Sequence, residues 1–272
     1  MKKLVLLLVL LSIAAISGAV HAQGLRRLTI APTRIVIEPR ERSGELSIMN
    51  IYAQAATYRV KIVNNKMKEE GGGYNTLSGP LDPAFDPEEY IRLTPRQFRL
   101  EPNGVQRIRF SVRRPPDLPP GDYRFHIMAT RLFGNTSTEQ VDKGVKATVA
   151  TNIGISIPVV VRQGDYNGDV KIEDVQLYPA SPTQKLPKAT LTIRRIGNND
   201  IFGGIDLYWV PAGSDQRELI GTVRNSNLFH EIERLKTSIN LNKYPQGSGK
   251  LIAQYIEDYY KQGVIDELVI DR

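Results

Sequence analysis

The stretch Val145–Arg162, VKATVATNIGISIPVVVR, decides how the chain is read. If it is extended, Val145, Ala147, Val149, Thr151, Ile153, Ile155, Ile157, Val159 and Val161 share one face, because successive side chains of a strand point to opposite sides. Such a strand carries more apolar face than its own sandwich needs. It follows a loop, Gly134–Gly144 (GNTSTEQVDKG), and runs straight into a second unit. The segment before the loop, Arg92–Leu132, alternates in the same way. There Ile108, Phe110 and Val112 are predicted to face a core, with Arg107, Arg109 and Ser111 facing water.

From Gln23 onward the chain is made of short alternating segments separated by Gly, Pro and Asn, with almost no helical periodicity, which predicts antiparallel all-β structure. The first set of strands is expected at 28–37, 45–51, 57–63, 90–93, 105–112, 123–132 and 145–161. Asn64–Glu89 contains Gly71, Gly72, Gly73, Pro80, Pro83 and Pro87 and is expected to be a long surface excursion. Gly164, Asn167 and Gly168 interrupt the pattern, so the boundary falls at Gln163–Asp169. A second set of strands is expected at 170–177, 189–196, 204–209, 219–223, 232–239, 250–256 and 264–270. Phe229–Leu235 is compatible with either strand or one helical turn. Two immunoglobulin-like β-sandwich domains are thus expected, at 23–163 and 164–272.

Residues 1–22 have the layout of a cleaved secretory signal: Lys2 and Lys3, an apolar run Leu4–Ile16, then small residues ending Val20-His21-Ala22. The run falls short of the roughly 20 apolar residues a membrane-spanning helix needs. Export to the periplasm without stable membrane insertion is therefore expected. None of the 272 residues is cysteine. That excludes disulfide scaffolds, cysteine nucleophiles and Cys-ligated zinc, and leaves stability to buried apolar area. The formal charge of +7 suits nucleic acid, an anionic surface or acidic termini. The arginines are interspersed with acids and lack an aromatic platform or recognition helix, so a nucleic-acid partner is not expected.

Two motifs fail on inspection. Asp165, Asn167 and Asp169 resemble the start of a calcium loop, but its sixth and twelfth positions hold Val170 and Gln176 instead of Gly and Glu. Gly247–Lys250, GSGK, has Tyr244 where a phosphate loop needs its first Gly, and Leu251 after the lysine. His126, in a strand pattern facing away from the core, and His230 have no recognisable nucleophile or ligand partner. No catalytic residue, metal or cofactor is expected, and the protein is read as a non-enzyme.

APTRIVIEPRERSGELSIMN (31–50), with Thr33-Arg34 and Asn50, together with LEPNGVQRIRF (100–110) and Pro119–Arg124, resembles the periplasmic pilus-assembly chaperones of the PapD type. The resemblance implies two sandwiches in an L-shaped arrangement. It implies that Arg34 grips the C-terminal carboxylate of a bound subunit, and that Ala147, Val149, Thr151, Ile153 and Ile155 form a donor strand filling the groove of an unfinished pilin. It implies an interdomain salt-bridge set of Asp122, Arg162 and Asp258. Where the family has a second carboxylate-binding lysine, this chain has Ser156, Ile157 and Pro158. Arg162 or a backbone N–H could stand in, or the anchor is weaker. The implied partners are pilin or surface-fibre subunits and an outer-membrane usher, with a weak homodimer when no client is present. From another class, an exported structural or adhesive two-sandwich protein could bind through loops such as Asn64–Glu89.

Overall fold

The computed structural model describes residues 28–132 and 154–272. The first unit contains β1 (Leu28–Ala31), β2 (Ile35–Ile37), β3 (Ser43–Asn50), β4 (Ala56–Met67), β5 (Tyr74–Leu77), a one-turn α1 (Pro87–Tyr90), β6 (Ile91–Thr94), β7 (Gln97–Leu100), β8 (Val105–Val112), β9 (Gly121–Leu132) and β10 (Gly154–Gln163). One sheet has the order β1-β3-β8-β6; the other runs β2-β10-β9-β4-β5, with β7 also on β4. In β8, Ile108, Phe110 and Val112 are buried while Arg107, Arg109 and Ser111 are exposed. They meet Tyr58, Phe125, Ile127, Val159 and Val161 of the opposite sheet in one core. This is the immunoglobulin-like arrangement of two sheets sharing inner faces.

The second unit contains β11 (Asp169–Tyr178), β12 (Lys188–Ile196), β13 (Gly203–Pro211), β14 (Glu218–Val223), β15 (Arg234–Asn240), β16 (Gly249–Glu257) and β17 (Gly263–Asp271). Its sheets are β11-β12-β15 and β14-β13-β16-β17, and Ile172, Leu191, Leu207, Trp209, Ile220 and Tyr255 lie in their common core. Val36 of β2 and Val160 of β10 are buried in this second core. One face of β10 therefore serves the first sandwich and the other is covered by the second.

Four features differ from the sequence expectation. The single strand expected at 28–37 is two. β1 pairs with β3 in one sheet and β2 pairs with β10 in the other, and the switch falls at Pro32, which has no N–H to continue a ladder. Asn64–Glu89 is more than an excursion: β4 runs on to Met67 and β5 folds back along it. At the tip of this hairpin Lys236 N donates to Glu69 O at 2.7 Å and Gly71 N donates to Lys236 O at 2.7 Å, which attaches it to β15 of the second unit. His126 faces away from the first core but is 2% exposed, because Tyr74 of β5 covers it edge-on at 5.2 Å. Phe229–Leu235 is neither all strand nor all turn: Phe229–Ile232 form a turn, with Ile232 N donating to Phe229 O at 3.1 Å, and β15 begins at Arg234.

Candidate functional site: an open strand edge beside the interdomain junction

Strand β10 pairs antiparallel with β9 along its whole described length, from Gly154 opposite Thr130 to Gln163 opposite Gly121. On its other side β2 pairs with it in parallel, but only Val159–Val161 are covered, by Ile35–Ile37. Gly154–Pro158 therefore have a strand neighbour on one side only, among the described residues. Pro158 sits at the border, opposite His126 on the β9 side and one residue before β2 begins. A residue with no N–H is best tolerated where one side is an edge. Ile157 is buried in the first core, and Ile155 is partly buried against it. Ala147, Val149, Thr151 and Ile153 lie outside the described residues.

Arg34 occupies the position just before Ile35, at the end of the open edge. Its guanidinium carbon lies 4.6 Å from the ring centroid of Phe202 and 5.6 Å from that of Tyr259, both in the second unit. A guanidinium over aromatic faces keeps its charge while its stem is ordered. No carboxylate pairs with Arg34 among the described residues, so its fork of donors is uncommitted. Arg162, the substitute second donor expected from the sequence, is turned towards Asp122. It is 1% exposed, and its Nε and Nη2 both donate to Asp122 at 2.7 Å. Although burial works against the charge, this fork keeps the guanidinium protonated well above its ordinary range.

The chain is similar to solved bacterial chaperones along nearly its whole length. The DraB chaperone of E. coli is 17% identical with a TM-score of 0.42, over 89% of this chain and 95% of that one. The CupB2 chaperone of Pseudomonas aeruginosa is 12% identical with a TM-score of 0.43, over 90% of this chain and 98% of that one. A chain of the SafA pilin–SafB chaperone complex of Salmonella enterica is 12% identical with a TM-score of 0.46, over 92% of this chain and 99% of that one. No protein-family model matches the chain, and no curated protein does.

Of the three residues taken as an interdomain salt-bridge set, the structure brings two together. Asp122 and Arg162 are opposite each other on β9 and β10. The link to the second unit runs through Asn199 Nδ2, which donates to Asp122 Oδ1 at 3.0 Å, and the Asp200 N–H, which donates to Oδ2 at 2.7 Å. Asp258 is exposed and takes no part in this pairing; its N–H donates to Phe202 O at 2.9 Å. The buried acid of that segment is its neighbour Glu257, which accepts from the N–H groups of Tyr259, Tyr260, Lys261 and Gln262 and so folds the turn that presents Tyr259 to Arg34. The linker docks too, with Asn167 N donating to Asn199 Oδ1 at 2.8 Å and Lys261 pairing with Asp169 at 3.2 Å.

Sequence reasoning missed a second polar cluster at the junction. Arg124 of β9, whose side chain is fully buried, pairs with Glu231 and donates to Asn65 O at 2.7 Å. Its guanidinium carbon lies 4.0 Å from the ring centroid of Phe229. His230 Nδ1 lies 2.8 Å from Asp200 Oδ1, which also accepts the His230 N–H at 2.6 Å. No sequence signal marked it: Arg124 and His126 alternating with Phe125 and Ile127 have the pattern of a strand with one solvated face.

Among the described residues, no helix is long and apolar enough to cross a membrane.

Proposed function

We propose that this protein is a non-enzymatic, ATP-independent periplasmic chaperone that holds pilin or surface-fibre subunits by strand addition and passes them to an outer-membrane usher. The observation that carries the reading is the half-open edge of β10, Gly154–Pro158, ending at the uncommitted guanidinium of Arg34. An edge of unpaired backbone groups recruits an extended segment, with alternate side chains adding specificity. A guest strand laid parallel to β10 would stop where Ile35 takes over the pairing, and its C-terminal carboxylate would arrive beside Arg34. Charge-assisted bonds to a planar guanidinium contribute about 1.5–3 kcal/mol.

In this reading Ala147, Val149, Thr151 and Ile153 continue the donor face of Ile155, each well-buried Val or Ile contributing about 1.5–3 kcal/mol before ordering costs. Residues 1–22 are the export signal, and 23–163 and 164–272 are the two domains. Asp122 and Arg162 fix their junction. Without a client the open edge pairs weakly with a second copy.

The test is native mass with peptide identification of the tagged protein recovered from the periplasm of its source cells. A one-to-one complex with a small β-rich subunit, lost in Val149→Asp/Ile153→Asp and weakened in Arg34→Ala, supports the reading. A lone monomer or homodimer in cells that are making fibres sinks it.

A further inference from the structure

The cluster around His230 has no part in the strand edge or the seat of Arg34, yet it spans both sandwiches. Asp122, Arg124 and His126 come from β9, and Arg162 comes from β10. Asp200 comes from the turn before β13, and His230 and Glu231 from the turn before β15. Asp122 accepts four hydrogen bonds, from Arg162 Nε and Nη2, Asn199 Nδ2 and Asp200 N. Asp200 Oδ1 accepts both the backbone N–H and ring Nδ1 of His230. Glu231 Oε1 accepts from Arg124 and, at 2.9 Å, from Met67 N. Donors so placed favour the charged form of each, against the burial that raises the Asp122 carboxyl.

With His230 neutral, the three carboxylates Asp122, Asp200 and Glu231 face two guanidiniums, Arg124 and Arg162. One proton on His230 makes the buried charges balance. Burying an uncompensated charge is what such a cluster must avoid. Glu38, 3.8 Å from Arg162 Nη1, has a side chain 36% exposed, so water screens it. The other groups facing His230 do not supply the missing charge. His126 is held neutral down to about 3 by burial and by Arg124, and burial pushes the Tyr74 hydroxyl up. Arg195 meets His230 through its backbone carbonyl and gives its other donors to the carbonyls of Ile232 and Gly197, so it pairs with none of the three carboxylates. Three donor groups, from Asp200, His230 and Glu231, lie within 4.8 Å of one another. A divalent cation there would sit beside Arg124 and leave the cluster net positive, whereas a proton leaves it neutral.

We infer that His230 is the catch of a proton-dependent latch between the two sandwiches: protonated, it ties Asp200 and Glu231 to Arg124 across the junction, and its deprotonation loosens the junction. The His230 ring is placed to do this. Burial alone would make protonation harder, but Asp200, then Glu231, outweigh it and raise the ring above the ordinary imidazole range. The reciprocal holds for Asp200, where burial raises the carboxyl and His230 together with Arg124 more than reverses it. A raised pKa means the latch is complete below the unfolded imidazole value and is lost as pH rises through the folded one. Contacts lead from the catch towards Arg34. Phe229, next to His230, meets Phe202 edge-on at 6.1 Å, and Phe202 is the ring on which Arg34 rests. The latch does not depend on what the open edge binds.

The chain has no native cysteine, so Ser111→Cys/Gln216→Cys places one spin label on each sandwich of the full-length protein. The distance between labels should be single and narrow near pH 6 and broaden towards about pH 9, with a midpoint above the ordinary imidazole value of about 6.5. The His230 ring, followed by NMR, should titrate with the same midpoint. His230→Gln should be insensitive to pH. Glu231→Gln removes one carboxylate, balances the cluster without the proton, and should shift the midpoint down by at least about one unit. A distance that ignores pH in the unmutated protein, an unchanged response in either variant, a ring that titrates below about 6.5, or narrowing at high pH produced by added zinc would each overturn the latch.

Discussion

Asp122 and Arg162 lie opposite each other on neighbouring strands, joined by two hydrogen bonds of 2.7 Å, with side chains 0% and 1% exposed. The carboxylate's remaining capacity is taken by Asn199 and Asp200 of the second sandwich. A pair formed inside one domain thereby supplies the acceptor that holds the other. Replacing Arg162 with Ala leaves the carboxylate buried without its main partner. Breaking such a pair from one side costs about 3–5 kcal/mol. Urea unfolding of Arg162→Ala should show that loss, and Asp122→Asn/Arg162→Met should recover part of it.

His126 and His230 should respond to pH in opposite directions. His126 is neutral when folded, with its pKa depressed to about 3. An unfolded chain therefore takes up a proton there that the folded one refuses, and stability falls as pH drops from about 6.5 towards 3, by up to about 4 kcal/mol. His126→Gln, which can still accept from Arg124, should flatten the acid limb of a plot of unfolding free energy against pH. His230→Gln should leave that limb and alter the alkaline one.

The β4–β5 hairpin should act as a strap. Shortening its tip by replacing Lys68–Gly73 with Asn-Gly removes the backbone bonds to Lys236, at about 1 kcal/mol each. Hydrogen exchange at Lys236 should then accelerate markedly, while Leu207 and Ala253, in the paired centre of β13 and β16, keep their protection.

Asn50 closes the end of β3. Its Nδ2 donates to the carbonyls of Gln54, Leu100 and Glu101, and its Oδ1 accepts from Tyr52 N and from the Tyr58 hydroxyl at 2.7 Å. Asn50→Ala strands several buried groups and should cost at least about 3 kcal/mol by thermal or urea unfolding, against about 1–2 for Tyr58→Phe.

Alternation alone made much of this legible. The β8 segment from Val105 to Val112 was read with its bounds and both faces, because one side meets a core and the other meets water. Asn50 and Asp122 were marked by resemblance, without the partners that explain them. What stayed hidden arises from contact between the two sandwiches. Arg124, His126 and Glu231 look like ordinary surface residues of separate strands and turns until a second layer covers them. β5 and β7, four residues each, are too short to show a period. The exchange of Asp258 for the neighbouring Glu257 as the buried acid turns on a one-residue difference in where the Tyr259 turn begins, which a single sequence does not fix.

The parallel strand β2 has a further consequence. It shares β10 with any visitor but holds the Val159–Val161 stretch permanently, so the free edge is a slot with a floor. A strand laid along Gly154–Pro158 would meet no other described strand on that edge, whereas at the other end Arg34 and Ile35 stand in its path. On the proposed function, such a slot would distinguish a chain that ends from one that continues, whatever the side chains along it.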